Sequence, residues 1–341
     1  HYPLRRQRQM CIRDRLDPRD ARVSGSRFRR TTADPFTVVS YALIFAGQGN
    51  QHPQMMPWLD LALNPSAALR EMKQIVGAAW RTTLANQALR SKGAFAQPLV
   101  VGTALAAWAV LKPLLPRPPT LVAGYSVGEL AAFASAGVIS VETAMGLATI
   151  RADWMDRSVR GQKSGLLSIS GLAVRSVLEQ FPRLHCAIVI DYDHAIFGAL
   201  SNDLDQAQTG LADTSAICKT LAIDVASHTP LMADASEGFS AALLELPFQP
   251  PEFSIVLNSR AMVGRRVSEL KTALGAQLCT TIDWAACMDV IAERGVHCVL
   301  EIGPNSALAS LWNRRHPTIP ARSIEEFKNP QGAAMWVQSH A

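Results

Sequence analysis

Apolar positions along this chain change their period several times, and each change predicts a different element. Tyr41-Ala42-Leu43-Ile44-Phe45-Ala46 is a continuous apolar run that ends in Gly47-Gln48-Gly49, the pattern of a strand buried on both faces and feeding a tight loop. Across residues 66–89 the apolar side chains recur at helical spacing, and across 98–115 they surround the axis almost completely, which predicts a helix inside the core. Pro116-Arg117-Pro118-Pro119 breaks the chain, and Thr120-Leu121-Val122-Ala123-Gly124 follows as a second buried strand. A short bend and the small-residue run 130–136 come next, so strand, turn and helix fall close together.

From Gly161 to Ile223 the texture becomes one of short pieces. Strand-like segments at 165–169 and 187–190 alternate with helical stretches at 174–180 and 203–219, the pattern of a small α/β subdomain inserted into a larger one. Asp224-Val225-Ala226-Ser227-His228 then reads as strand, 237–246 as helix, and 296–302 as another buried strand running into Gly303-Pro304.

Composition narrows the class. With 341 residues, 48% of them hydrophobic, the chain is long enough for one large α/β domain and a smaller one. The net charge of +5 belongs to the first forty residues, where ten Arg face four Asp. The body is close to neutral and has no basic stripe with interleaved aromatics, which argues against nucleic acid as a partner. The six Cys are scattered, with no CxxC pair and no Cys/His spacing for a metal. They read as small buried hydrophobes of a reducing, cytoplasmic protein. Apolar runs such as 99–111 fall short of the roughly 20 residues that span a bilayer, so no membrane segment is expected. Residues 1–40 start at His1 and show no apolar periodicity. They read as a disordered or artefactual leader, with an Arg-rich targeting peptide as the alternative. Residues 326–341 read as a C-terminal tail.

The strongest chemical signal is Gly124-Tyr125-Ser126-Val127-Gly128 between a strand and an Ala-rich helix. At a strained strand-to-helix bend, side chains two positions either side of the serine collide, and glycine removes them. The N–H groups that follow sit at a helix N-terminus, where an oxyanion is stabilised. A serine alcohol needs a positioned base. Among His52, His185, His194, His228, His297 and His316, the best placed is His228, at the end of a strand-like segment and before Thr229-Pro230; His52 is its rival.

Taken in order, Gly47-Gln48-Gly49-Asn50-Gln51, the serine bend, Arg151, Ser227-His228, Gln277-Leu278 with Trp284, and Glu301-Ile302-Gly303-Pro304 resemble the malonyl-CoA:acyl-carrier-protein transacylase family over about residues 41–315. The resemblance implies a large hydrolase-like α/β domain with a parallel sheet (41–160 and 223–325) and a small inserted ferredoxin-like α/β subdomain (161–222). It implies Ser126 as nucleophile and His228 as base, an oxyanion hole from the N–H groups of Gln48 and Val127, and orientation of the histidine by the main-chain carbonyl of Gln277. Arg151 matches the family's arginine that holds the free malonyl carboxylate through a forked contact. Ser227 matches a position that crowds the acyl chain, and its small side chain admits malonyl and methylmalonyl alike. The substrates implied are malonyl-CoA and the phosphopantetheine thiol of an acyl-carrier protein, with no metal or other cofactor.

Two positions depart from the family pattern. Asn305 stands where a second glycine is common, and Asp191-Tyr192-Asp193-His194 replaces an Asn-containing turn. Gln51-His52-Pro53-Gln54-Met55, the Trp108 stretch and Ala226-Ser227-His228-Thr229-Pro230 resemble the epsilon subunit of malonate decarboxylase, which makes that enzyme's carrier subunit the alternative acceptor. Two other classes compete. A serine hydrolase or thioesterase shares the bend and the histidine, and a non-catalytic interaction subunit shares the fold.

Overall fold

The structure is a computed structural model that describes residues 40–61, 64–159 and 161–341; the leader therefore lies almost wholly outside the described residues. The described strands are β1 (Tyr41–Phe45), β2 (Leu121–Gly124), β3 (Ser164–Ser170), β4 (His185–Asp191), β5 (His194–Leu200), β6 (Ile217–Thr220), β7 (Ser254–Leu257), β8 (Met262–Gly264), β9 (Ile282–Asp283), β10 (Cys298–Ile302) and β11 (Ala321–Ser323). They form two sheets. The larger has the order β11-β10-β1-β2-β7-β8, parallel throughout except for the antiparallel edge strand β8.

The continuous apolar run of β1 has a direct cause. Successive side chains point to opposite faces of a strand, and both faces of β1 are covered. Tyr41, Leu43 and Phe45 join a core with the helices Gly93–Leu111 and Gly128–Ser135, while Ala42 and Ile44 join a second core with Leu166, Ile188 and Ile196 of the other sheet. The smaller sheet is thus packed against one face of the larger.

That smaller sheet has the order β6-β3-β5-β4-β9. Its first four strands are mutually antiparallel and follow the chain order strand, helix, strand, strand, helix, strand, with Val174–Gln180 and Ser201–Gly210 as the helices; this is a ferredoxin-like topology. The fifth strand, β9, comes from outside residues 161–222 and pairs parallel with β4. Asp191-Tyr192-Asp193-His194 is the hairpin between β4 and β5.

Several expectations are corrected. The helical pattern over 66–89 is three short helices, Ala67–Val76, Trp80–Leu84 and Gln87–Arg90, because Gly77 adopts φ 90° and ends the first. The stretch 203–219 is helix only to Gly210, and its end is β6, the edge strand. Residues 224–228 form no strand; His228 sits in a loop at φ 64°. Residues 326–341 are no tail: Pro330–His340 is a helix that buries Ala333, Ala334 and Val337 in the main core. The core helix is also longer than its apolar run. With the turn that follows, Gly93–Leu114 is long and apolar enough by composition to cross a bilayer, and 78% of that window is buried within the protein. Burial against other helices accounts for its composition.

Candidate active site

The bend after β2 is dictated by close backbone approach. A Cβ on Gly124 would lie 2.1 Å from the carbonyl carbon of Gly128, and one on Gly128 would lie 2.4 Å from the carbonyl oxygen of Phe45. Only glycine fits at either position. Between them Ser126 takes φ 55°, a conformation costing a non-glycine residue on the order of 1–3 kcal/mol. Its N–H donates to Oδ1 of Asn258 (2.9 Å), and Nδ2 of Asn258 donates to the Gly124 carbonyl (2.6 Å). Asn258, 1% exposed, follows β7 and so ties the bend to the neighbouring strand.

His228 meets the serine from a different part of the chain. The Ser126 hydroxyl lies 2.8 Å from Nε2, and Nδ1–H donates to the Gln277 carbonyl at 2.7 Å. That second bond fixes the tautomer, leaving Nε2 to accept the hydroxyl proton. The loop is held by the His228 N–H donating to the Leu278 carbonyl at 2.8 Å. Burial, and secondly the nearby Arg151 charge, push the imidazole down to about 3, so it is neutral at physiological pH. The rival His52 is elsewhere: its Nε2 lies 2.9 Å from Glu325, beside a separate pocket.

Ser126 and His228 lie on a cavity of about 610 Å³ between the two sheets, also lined by Gln48, Val127, Arg151 and Ser227. The chain after β6, from Leu221 to Val225, forms part of its wall. Val127 is the residue before the helix Gly128–Ser135, and among the described residues the N–H groups of Val127 and Gln48 have no hydrogen-bond partner. Gln277 lies behind the cavity, fully buried.

Arg151, on the helix Val141–Ser158, is 2% exposed. Nη1 donates to Gln97 Oε1 (2.8 Å) and faces the Met155 sulfur (3.1 Å); Nη2 donates to Gln277 Oε1 (2.9 Å) and reaches Ser126 Oγ (3.4 Å). Among the described residues no carboxylate forms an ion pair with it, and its Nε has no partner. A buried cation served by neutral amides is costly, by several kcal/mol, and a forked contact to an anion beside the serine would offset that cost.

Ser126, His228, Gln48, Val127, Arg151 and Gln277, singled out from the sequence, therefore meet at one place, and His52 does not. Sequence reasoning missed Asn258, Gln97, Met155 and the role of Glu129. Gln97 carries a faint signal as the polar residue in an apolar helix, and Asn258 as the polar residue closing Ile255-Val256-Leu257. Glu129 is completely buried. Its Oε1 accepts from the Asn258 N–H (2.8 Å) and its Oε2 from Gln277 Nε2 (2.7 Å). Burial pushes its carboxyl up to about 8, with these two bonds and the Arg151 charge acting in the opposite direction. Asn305, the departure after Gly303-Pro304, has φ 65°, a left-handed conformation that asparagine tolerates in place of glycine. Among the described residues no group of three or more His, Cys, Asp or Glu is arranged to hold a metal ion.

Relatives of known name and structure match most of the chain. The malonyl CoA-acyl carrier protein transacylase of Mycobacterium bovis is 28% identical over 293 residues, spanning 83% of this chain and 96% of that protein. The protein of the same name from Haemophilus influenzae is 25% identical over 303 residues, spanning 84% and 95%. The crystal structure of FabD from Acinetobacter baumannii superposes with a TM-score of 0.79 at 25% identity, covering 89% of this chain and 99% of that one. A family profile described as the acyl transferase domain matches residues 43–320. Spanning most of the described fold and every residue of the Ser126 cavity, that match establishes that the chain belongs to the acyl transferase domain family.

Proposed function

We propose that this chain transfers a malonyl group from coenzyme A to the phosphopantetheine thiol of an acyl-carrier protein. The observation that carries the reading is the 2.8 Å contact of Ser126 Oγ with a neutral His228 Nε2, beside a buried arginine that has no carboxylate partner among the described residues. The transacylase relatives supply the acyl group and the acceptor.

In the first half-reaction Ser126 Oγ attacks the thioester carbonyl carbon while His228 Nε2 takes the hydroxyl proton. The oxygen that becomes negative is received by the N–H groups of Gln48 and Val127. Collapse breaks the carbon–sulfur bond, and His228 returns the proton to the leaving coenzyme A thiol. The malonyl ester on Ser126 keeps its free carboxylate on Arg151. In the second half-reaction His228 deprotonates the carrier thiol, whose sulfur attacks the ester carbonyl; the carbon–Oγ bond breaks and His228 returns the proton to Ser126 Oγ. Coenzyme A and the phosphopantetheine arm are substrates, so the cycle calls for no bound cofactor, and we assign it to the cytoplasm.

Intact-mass measurement after brief exposure to malonyl-CoA tests the nucleophile: Ser126→Ala should show no added malonyl mass, and mass gain at the wild-type level would assign the ester elsewhere. Addition of a holo carrier protein tests transfer against hydrolysis. Malonyl-carrier should accumulate; free malonate alone would make the protein a thioesterase. Running a fatty-acid-synthesis carrier beside the malonate decarboxylase carrier subunit, motivated by segments 51–55 and 226–230, identifies the acceptor.

A further inference from the structure

We infer that Glu129 is a positioning residue for acyl-group selectivity: through the Gln277 carboxamide it holds Arg151 in the orientation that receives a free carboxylate. The inference rests on the proposed role of Arg151 above and goes beyond it.

Arg151 is steered by two amide oxygens, Gln97 Oε1 and Gln277 Oε1. A carboxamide is nearly the same shape when turned over, and a reversed Gln277 would present its NH2 group to the guanidinium, donor against donor. Whatever binds the other end of the amide therefore decides whether Arg151 is held or repelled. Gln277 Nε2 donates to Glu129 Oε2 at 2.7 Å and to the Ser126 carbonyl at 2.9 Å, so both of its neighbours there are acceptors. The other oxygen of Glu129 accepts from the Asn258 N–H, so both oxygens face donors, an arrangement that the ionised carboxylate satisfies and that favours this form against burial.

The same residue is thus coupled to three parts of the site. Asn258 braces the Ser126 bend, and Gln277 presents its carbonyl to His228 while its side chain orients Arg151. Only the last of these bears on which acyl group is accepted, since an acetyl group has no carboxylate for Arg151 to hold. A carboxamide at position 129 would turn an NH2 group toward either Asn258 N–H or Gln277 Nε2. In the second case the Gln277 amide reverses and the hold on Arg151 is lost.

The test compares rates of acyl-enzyme formation from malonyl-CoA and from acetyl-CoA by rapid quench and intact mass, for the wild type, Glu129→Gln, Gln277→Met and Arg151→Ala. The malonyl-to-acetyl ratio is the readout, because general damage to the serine or to folding lowers both rates together. Glu129→Gln should lower the ratio about tenfold, the size expected for one hydrogen bond to a charged group. Gln277→Met keeps the main-chain carbonyl for His228 and removes the carboxamide. It should lower the ratio similarly, and it decides the matter if Glu129→Gln does not fold. Arg151→Ala separates the two readings. If its ratio equals that of the wild type, the carboxylate-binding role itself fails. If its ratio collapses while those of Glu129→Gln and Gln277→Met stay at the wild-type value, Glu129 has no part in selectivity.

Discussion

The serine bend and the histidine loop place their side chains at nearly the same backbone angle, Ser126 at φ 55° and His228 at φ 64°, yet they are built in different ways. The bend is enforced from within: two glycines, four residues apart, relieve contacts of the chain with itself and with β1, and a helix starts directly afterwards. The loop has no glycine pair. Thr229 Oγ1 donates to the Ala226 carbonyl within it, and His228 itself is held by hydrogen bonds to Leu278 and Gln277, about fifty residues further along the chain. Strain at a reactive residue can therefore be encoded locally or imposed at a distance, and the two kinds fail differently under mutation.

The largest effect is expected where the local device is removed. Gly124→Ala puts a methyl group 2.1 Å from the Gly128 backbone. Urea denaturation should show a loss of at least about 3 kcal/mol, and acyl-enzyme should not form. A variant as stable as the wild type would mean that the bend can shift at little cost.

His228→Gly probes the other device. Removing the base should slow acylation by about a thousandfold. Glycine is at ease at φ 64°, which offsets part of the cost of leaving the buried Gln277 carbonyl unpaired, so the stability loss should stay within about 2 kcal/mol and below that of Gly124→Ala. A collapse in stability comparable with that of Gly124→Ala would erase the distinction between the two regions.

Asn258→Ala acts on the strut joining the bend to β7. It removes the Oδ1 acceptor of the Ser126 N–H and the Nδ2 donor to Gly124, and should lower the acylation rate roughly ten- to a hundredfold. If the rate holds, the glycines alone are sufficient.

The smallest effect is on pH dependence. His228 is a base lowered to about 3 from 6.5, so it stays neutral and competent as pH falls from 8 to about 5. The acylation rate should be flat there, without an inflection near 6.5. Arg151 is the second cause of that lowering; in Arg151→Ala the histidine titrates at higher pH, and a decline should enter from the acid side. An inflection near 6.5 in the wild type would show that the imidazole is more solvated than the structure has it.

Legibility in the sequence followed the same division. Gly124-Tyr125-Ser126-Val127-Gly128 was readable because its reason is local. The strands β1 and β10 were readable because burial on both faces leaves apolar runs, unbroken in β1 and interrupted only by the buried Glu301 in β10. The segment 224–228 misled, since Val225 and Ala226 are buried by contacts with other parts of the chain and not by strand pairing. β6 was hidden behind the helical pattern before it: as an exposed edge strand it has little apolar alternation to display. The Pro330–His340 helix was missed because the apolar residues it buries in the core, Ala333, Ala334 and Val337 with Trp336 packed partly against them, make a stripe too thin to register.

By itself the sequence determined the serine bend, the paired apolar strands on either side of the first long helix, and the alternation of short elements in the middle of the chain, all consequences of neighbours within a few residues. Tertiary structure alone decided that Asn258, Glu129, Gln97 and the Gln277 side chain converge on Ser126 and Arg151. Each is one polar residue amid unremarkable sequence, and a hydrogen bond between positions more than fifty residues apart leaves no trace in the local period of either segment.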